Sequence, residues 1–243
     1  MPHAKYSPSA AKIWMSCPGM PSLMDQVEYK VGMPAAVGTL IHSMTEMLLK
    51  ERLENVTLEQ YWLGKTECVE DFEIEVDKDM IQCAEVYVEY VQKRKEELNA
   101  KILVEERVSM EEISPYVWGT ADAILIGKNE IEIIDLKSGK FPVDVEHNPQ
   151  LLIYSLGALS RYGDESTTVT MTIVQPRTWH KDGPIRSYSM SAANLVEWGY
   201  ETLKQATDAC DEENPQFNPS DTNCRWCNAR EVCDAYKTFK GEK

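Results

Sequence analysis

Residues 119–140, GTADAILIGKNEIEIIDLKSGK, decide how the rest of the chain is read. Two apolar runs, 116–126 and 130–137, flank the turn-prone Gly127-Lys128-Asn129, so the pair reads as a β-hairpin. Into these runs the chain inserts Asp122, Asp135 and Lys137. A charge carried towards a core is costly unless something pairs it. The hairpin sets Asp122, near the middle of one strand, and Asp135, near the end of the next, on one side of the sheet. Lys137 follows Asp135 by two residues and shares its face. Two close carboxylates repel unless a cation lies between them. Oxygen ligands of this kind suit Mg²⁺ or Mn²⁺, which activate water and offset developing charge in phosphoryl chemistry. An isolated Asp-x-Lys is more often an exposed ion pair, so the neighbouring segments must decide.

Working outward, residues 35–54 predict a helix with Leu40, Met44, Met47 and Leu48 at helical spacing, and a second helix covers 79–98. A strand over 101–109 precedes the hairpin. Asn148 caps a helix over 148–161 with Pro149 in its first turn, and 167–175 is another strand. A last long helix spans about 191–210. The order is helix, three strands, helix, strand, an α/β arrangement with a mixed central sheet flanked by helices. Gln150 and Tyr154 share one helix face and can reach the cleft of Asp135 and Lys137. His42 and Glu46 share a face of the earlier helix, where His42 can add a third metal ligand.

Composition narrows the field. With 243 residues and 43% hydrophobic content the chain suits one sizeable domain, 1–243, with a core over about 35–175. No apolar run is long enough to cross a bilayer, and MPHAKYSPSA lacks the pattern of a secretion signal, so a cytoplasmic protein is expected. The net charge of -15 argues against a simple electrostatic nucleic-acid binder. The charge is uneven, however, and Arg225, Arg230, Lys237, Lys240 and Lys243 make the C-terminal segment locally basic.

Seven cysteines, an odd number, fit a reducing compartment and direct attention to metal binding. Cys224, Cys227 and Cys233 form C-x-x-C-x5-C after the breaker-rich DEENPQFNPSD, and three soft ligands within ten residues are hard to explain as packing. Cys17, before Pro18, is the candidate fourth ligand, with Cys210 its nearest rival. Cys68, Cys83 and Cys210 read by default as buried small hydrophobes. The module therefore joins residue 17 to 215–243. Spacing alone leaves zinc and [4Fe-4S] open.

Gly38-Thr39-Leu40-Ile41-His42, Gly119-Thr120-Ala121-Asp122, Ile134-Asp135-Leu136-Lys137-Ser138-Gly139 and Gln150-Leu-Leu-Ile-Tyr154 resemble, in that order, the motifs of the PD-(D/E)XK nucleases of the RecB-like branch. Each motif is weak alone; four in order are a strong signal. The resemblance implies a restriction-endonuclease-like core and a metal-dependent deoxyribonuclease, an exonuclease for DNA end processing or recombination. It implies metal binding by His42, Asp122, Asp135 and the Leu136 carbonyl, catalysis by Lys137, and positioning of DNA or the lysine by Gln150 and Tyr154. The family often has Glu where this chain has Asp135, and accepts both. Glu105 is either a water-orienting residue or an exposed strand charge. The cysteine arrangement is similar to that of the iron-sulfur nucleases, including the AddB nuclease domain and the CRISPR-associated adaptation exonucleases, and so implies a structural [4Fe-4S] cluster, with zinc the alternative. By the same analogy the partners are DNA and a single-strand annealing or other recombination protein, in a bacterial or phage-infected cell. A homo-oligomer is compatible, since rings that thread DNA occur among related exonucleases. The competing readings are a catalytically silent DNA- or partner-binding protein on the same fold, and a zinc-stabilised interaction protein.

The remaining marked residues carry less. Arg225, Trp226 and Arg230 can touch a strand or serve as scaffold. The loop Gln175-Pro-Arg177-Thr-Trp179-His180-Lys181 follows a strand and reads as exposed. Glu67 to Asp79 reads as a solvated acidic face, and His3, His147 and His180 as surface residues.

Overall fold

Residues 4–28, 31–51 and 56–241 are described by a computed structural model. After a 3-10 turn (Pro8–Ala10) come α1 (Ala11–Trp14), a second 3-10 segment (Met20–Gln26), α2 (Met33–Leu49), α3 (Leu58–Trp62), β1 (Thr66–Val69), β2 (Phe72–Glu75) and α4 (Lys78–Glu97). The chain continues through β3 (Lys101–Ser109), β4 (Trp118–Ile126), β5 (Glu130–Leu136), α5 (Pro149–Tyr162), β6 (Thr168–Val174), β7 (Ile185–Ser191) and α6 (Ala192–Trp198). A π-helical segment (Gly199–Leu203), α7 (Lys204–Cys210), α8 (Asp221–Cys224), a 3-10 turn (Asn228–Glu231) and α9 (Asp234–Lys240) complete it.

The sheet follows from β5. Its alternate residues are apolar on both faces, a pattern that needs a helical layer on each side. Ile131 and Ile133 join the core under α5 with Leu152, Leu156, Val169 and Met171. Ile134 and Leu136 join a second core with Leu40, Ile41 and Met44 of α2 and Ile81, Tyr87 and Val91 of α4. Burying each such aliphatic side chain stabilises by about 1.5–3 kcal/mol, so a charge at Ile133 or Ile134 would break one layer. The five-stranded order is β3-β4-β5-β6-β7, with β5 and β6 parallel and every other pair antiparallel. The parallel pair requires a crossover, and α5 supplies it. The result is a mixed α/β protein with a central sheet flanked by helices, in the predicted order. No helix among the described residues is long and apolar enough to cross a membrane.

Local signals account for the helix starts. Asn148 Oδ1 accepts from the Gln150 and Leu151 amides at 3.1 and 3.4 Å, as its position before Pro149 predicts. Asp77 caps α4 through the Met80 amide at 2.8 Å.

Four expectations need correction. The helix expected over 35–54 ends at Leu49, because Glu51 turns to φ 53, a left-handed backbone that stops it. Residues 52–54, His3 and Lys243 lie outside the described residues. Cys68, expected to be buried, is exposed on a separate antiparallel hairpin of β1 and β2, whose acidic residues form the solvated face expected from Glu67 to Asp79. The helix expected over 191–210 is interrupted by its π segment. Finally, β7 was not foreseen. Its sequence IRSYSMS forms an edge strand whose Ser187, Ser189 and Ser191 face solvent, so it lacks the apolar alternation that marks a half-buried strand.

Candidate metal and catalytic site

The site forms where two strand ladders lapse. The β4–β5 ladder ends at Ala123↔Ile134, and the β3–β4 ladder runs Val104↔Ala123 then Glu106↔Ala121. Asp122 therefore sits outside both, opposite Glu105 on one side and Asp135 on the other by continuation of the registers. The Leu136 amide, directed to β4, donates to Asp122 Oδ2 at 2.7 Å, so a carboxylate takes the place of a backbone acceptor. Glu105 has φ 54, an uncommon backbone for a glutamate, at this same break.

Helix α2 brings His42 to the break from the other side. His42 Nδ1 lies 3.3 Å from Asp122 Oδ1, and ligand atoms of His42, Glu105 and Asp122 all fall within 4.8 Å of one another. Two glycines stand where these elements converge. A Cβ on Gly38 would lie 3.0 Å from Ser138 Oγ, just beyond Lys137, and one on Gly119 would meet Pro8 at 2.9 Å and Tyr154 at 3.0 Å. At Gly119 a larger residue would press on Pro8 and the Tyr154 ring, whereas at Gly38 the neighbour is a serine hydroxyl that can turn aside.

Asp135 and Lys137 face α5. Lys137 Nζ is 2.8 Å from Asp135 Oδ2 and donates to Gln150 Oε1 at 2.8 Å. Gln150 Nε2 in turn reaches the Tyr154 hydroxyl at 3.4 Å. Tyr154 is buried, so its reach is to Gln150 and not to solvent. The Lys137 ammonium is the cation that meets the buried Asp135 Oδ2.

The electrostatics reflect the crowding. Burial opposes the charge on His42, but the Asp122 carboxylate, helped by Asp135 and Glu105, outweighs it and raises the imidazole to about 9. Burial and then Asp122 push Glu105 up to about 7. Burial also works against Asp122, yet His42 and the Leu136 amide hold it below the usual carboxylate range. Asp135 goes the other way: burial and the nearby Asp122 raise it in spite of Lys137. The imidazole nitrogen of His42 and the carboxylate oxygens of Glu105 and Asp122 are a donor set that fits Mg²⁺ or Mn²⁺, and the group drawn together here includes Glu105 where Asp135 was expected.

All four residues of the cysteine motif come together. Cys17, Cys224, Cys227 and Cys233 are free thiols lining one cavity with Phe217 and Met20. The Asn218 amide donates to Cys17 Sγ at 3.3 Å, and the Gly19 amide to the Gln216 carbonyl at 2.8 Å, which fastens the N-terminal turn to the C-terminal segment. Burial raises the Cys17 and Cys227 thiols, and the neighbouring sulfurs add to it. Among the described residues no three of these sulfurs lie within 4.8 Å of one another. Four thiolates suit zinc and an iron-sulfur cluster alike. Cys210 faces elsewhere, its thiol directed to the Trp14 carbonyl at 3.7 Å.

Glu105 stays undecided from the sequence, because its place opposite Asp122 rests on the β3–β4 register, which the β4–β5 turn at Gly127 does not set. Gln175, expected at the start of an exposed loop, is instead fully buried, because it holds the loop after Lys137 through the Gly139 and Phe141 carbonyls at 3.0 and 2.7 Å.

Fold and site together define an α/β protein with a half-buried nitrogen- and oxygen-donor site at a break in a mixed sheet, and a separate four-thiol cage. The chain belongs to the family described as "Protein of unknown function (DUF2800)", which matches residues 3–242. Among solved structures it is distantly similar to that of SSO0001, at 15% identity and a TM-score of 0.35, over 94% of this chain and 97% of that one. LHK-Exo in complex with dAMP is similar at 10% identity and a TM-score of 0.35, over 83% of this chain and 90% of that one.

Proposed function

We propose that the protein is a metal-dependent deoxyribonuclease of the PD-(D/E)XK type, an exonuclease acting in DNA end processing or recombination. The observation that carries this reading is the His42–Glu105–Asp122 group at the break in the sheet, with the buried Asp135 and Lys137 paired at 2.8 Å beside it. His42, Asp122, Asp135 and the Leu136 carbonyl would hold a Mg²⁺ or Mn²⁺ ion, with Glu105 as an added ligand or an acceptor for its water. When bound, the ion supplies Lewis-acid charge and an activated water.

The chain's own groups then do the following. Gln150, steadied by Tyr154, fixes the Lys137 ammonium where charge grows on the scissile phosphate. Glu105, raised towards neutrality, can take up a proton from the attacking water. In-line attack at phosphorus breaks the bond to the 3′ oxygen and leaves the phosphate on the 5′ side. Cys17, Cys224, Cys227 and Cys233 would hold a structural [4Fe-4S] cluster that ties the two ends of the chain together. The reading extends to one nuclease domain over 1–243.

The test is digestion of end-labelled single- and double-stranded DNA with Mn²⁺ by anaerobically purified protein. Wild type should cut, and Lys137→Ala should be slower by about 10²–10³-fold. Intact DNA with both proteins would leave the catalytically silent binding protein as the reading to pursue. The absorption spectrum and metal content of the same preparation separate an iron-sulfur protein, brown with iron and sulfide, from a colourless zinc protein.

A further inference from the structure

Four residues beyond Lys137, Phe141 is 61% exposed, and Trp226, between two of the clustered cysteines, is 60% exposed. These rings meet each other, centroids 5.5 Å apart and planes at 61°. Arg225 lies over both, its guanidinium 5.2 Å from Phe141 and 5.3 Å from Trp226. The contact joins the loop that follows the catalytic lysine to the cysteine module.

The exposure of Phe141 is built into the fold. Buried Gln175 accepts from the Val143 amide at 3.1 Å while donating to the carbonyls of Gly139 and Phe141. Arg186 braces Gln175 Oε1 at 2.8 Å and the Val143 carbonyl at 3.0 Å. Thr178 donates to the Lys140 carbonyl at 2.8 Å. A loop fastened on this many backbone groups presents its aromatic ring to solvent in one place. Among the described residues Lys140, Arg225 and Arg230 pair with no carboxylate, although the chain carries a net charge of -15. A surface for an apolar protein partner would not need cations among the rings. Unpaired bases with their phosphates supply π faces and negative charge together.

We propose that Phe141, Trp226 and Arg225 form a stacking platform for the bases of an unpaired DNA strand beside the Asp135–Lys137 site. This rests on the nuclease reading and adds to it a substrate form, a single-stranded segment in place of an intact blunt duplex.

The test is fluorescence anisotropy of a labelled oligothymidylate and of a blunt hairpin duplex, in the Asp135→Ala background so that no strand is cut. Phe141→Ala should weaken oligothymidylate binding roughly five- to hundredfold, the effect of losing one base stack. Phe141→Trp and Trp226→Phe should retain it, and blunt-duplex binding should change much less. A thermal midpoint unchanged in Phe141→Ala shows that the loss is not one of folding. Unchanged oligothymidylate binding in Phe141→Ala, or an equal loss on the blunt duplex, would overturn the platform. Cleavage by the protein with Asp135 intact is measured in parallel. Cleavage with Phe141-independent binding removes the platform and leaves the nuclease, whereas Phe141-dependent binding without cleavage removes the nuclease and leaves the platform.

Discussion

Glu132 and Asp135 lie three residues apart on β5, both buried, and their surroundings differ in kind. Glu132 is fully paired: Arg94 Nε donates to it at 2.8 Å, the Tyr90 hydroxyl at 2.9 Å and the Thr172 hydroxyl at 2.7 Å. Asp135 is met by the Lys137 ammonium at 2.8 Å, while burial and the neighbouring Asp122 carboxylate push its pKa up. A buried acid whose lone pairs are all engaged is part of the scaffold. One met by a single lysine, next to His42 and Asp122, leaves lone pairs for a cation.

This contrast can be broken at several points, and the largest effect belongs to Asp135. Asp135→Ala should lower Mn²⁺-dependent cleavage by about 10³-fold or more, because the ion's Lewis-acid contribution is worth several kcal/mol. Initial rates on end-labelled DNA check it. Lys137→Ala should cost less than Asp135→Ala in rate while preserving Mn²⁺ binding, a split that calorimetry reads directly.

Glu132→Ala should do the reverse. It leaves Arg94 and two hydroxyls without their acceptor, at a cost of about 2–3 kcal/mol, less than for a fully enclosed pair because Arg94 is partly exposed. Urea unfolding measures that loss, and cleavage per folded molecule should stay within about threefold of wild type, the small effect expected of a change remote from the catalytic contacts.

The pH dependence sharpens the same point. His42 in the metal-free protein keeps its proton up to about pH 9, and Glu105 up to about pH 7. A metal must displace them. Apparent Mn²⁺ affinity should therefore fall about tenfold per pH unit from 9 to 7 and more steeply below 7, with proton release counted by calorimetry in buffers of different ionisation heat. Stability of the metal-free protein runs oppositely. The folded value of His42 lies above its ordinary 6.5, so its pairing with Asp122 stabilises fully below pH 6.5 and is lost as pH rises through about 9.

Much of this was legible beforehand, for identifiable reasons. Charges inside the apolar runs of β4 and β5 marked Asp122, Asp135 and Lys137, since such charges need a cause. The Asn148-Pro149 start placed Gln150 and Tyr154 on the face of α5 that meets them. The less legible parts involve long-range geometry or weak patterns. The role of Glu105 depends on a register across β3 and β4, and the hold of Gln175 on the Phe141 loop links residues 34 apart. Strand β7 alternates serine with mixed residues because one face of an edge strand needs no core.

The most direct test of the account is the Mn²⁺-induced shift in thermal midpoint of wild type, Asp135→Asn and Glu132→Gln, measured together. Ligand binding to the folded state raises the midpoint, so Mn²⁺ should stabilise wild type and Glu132→Gln alike and leave Asp135→Asn nearly unmoved. A shift in Asp135→Asn as large as that of wild type would contradict the account.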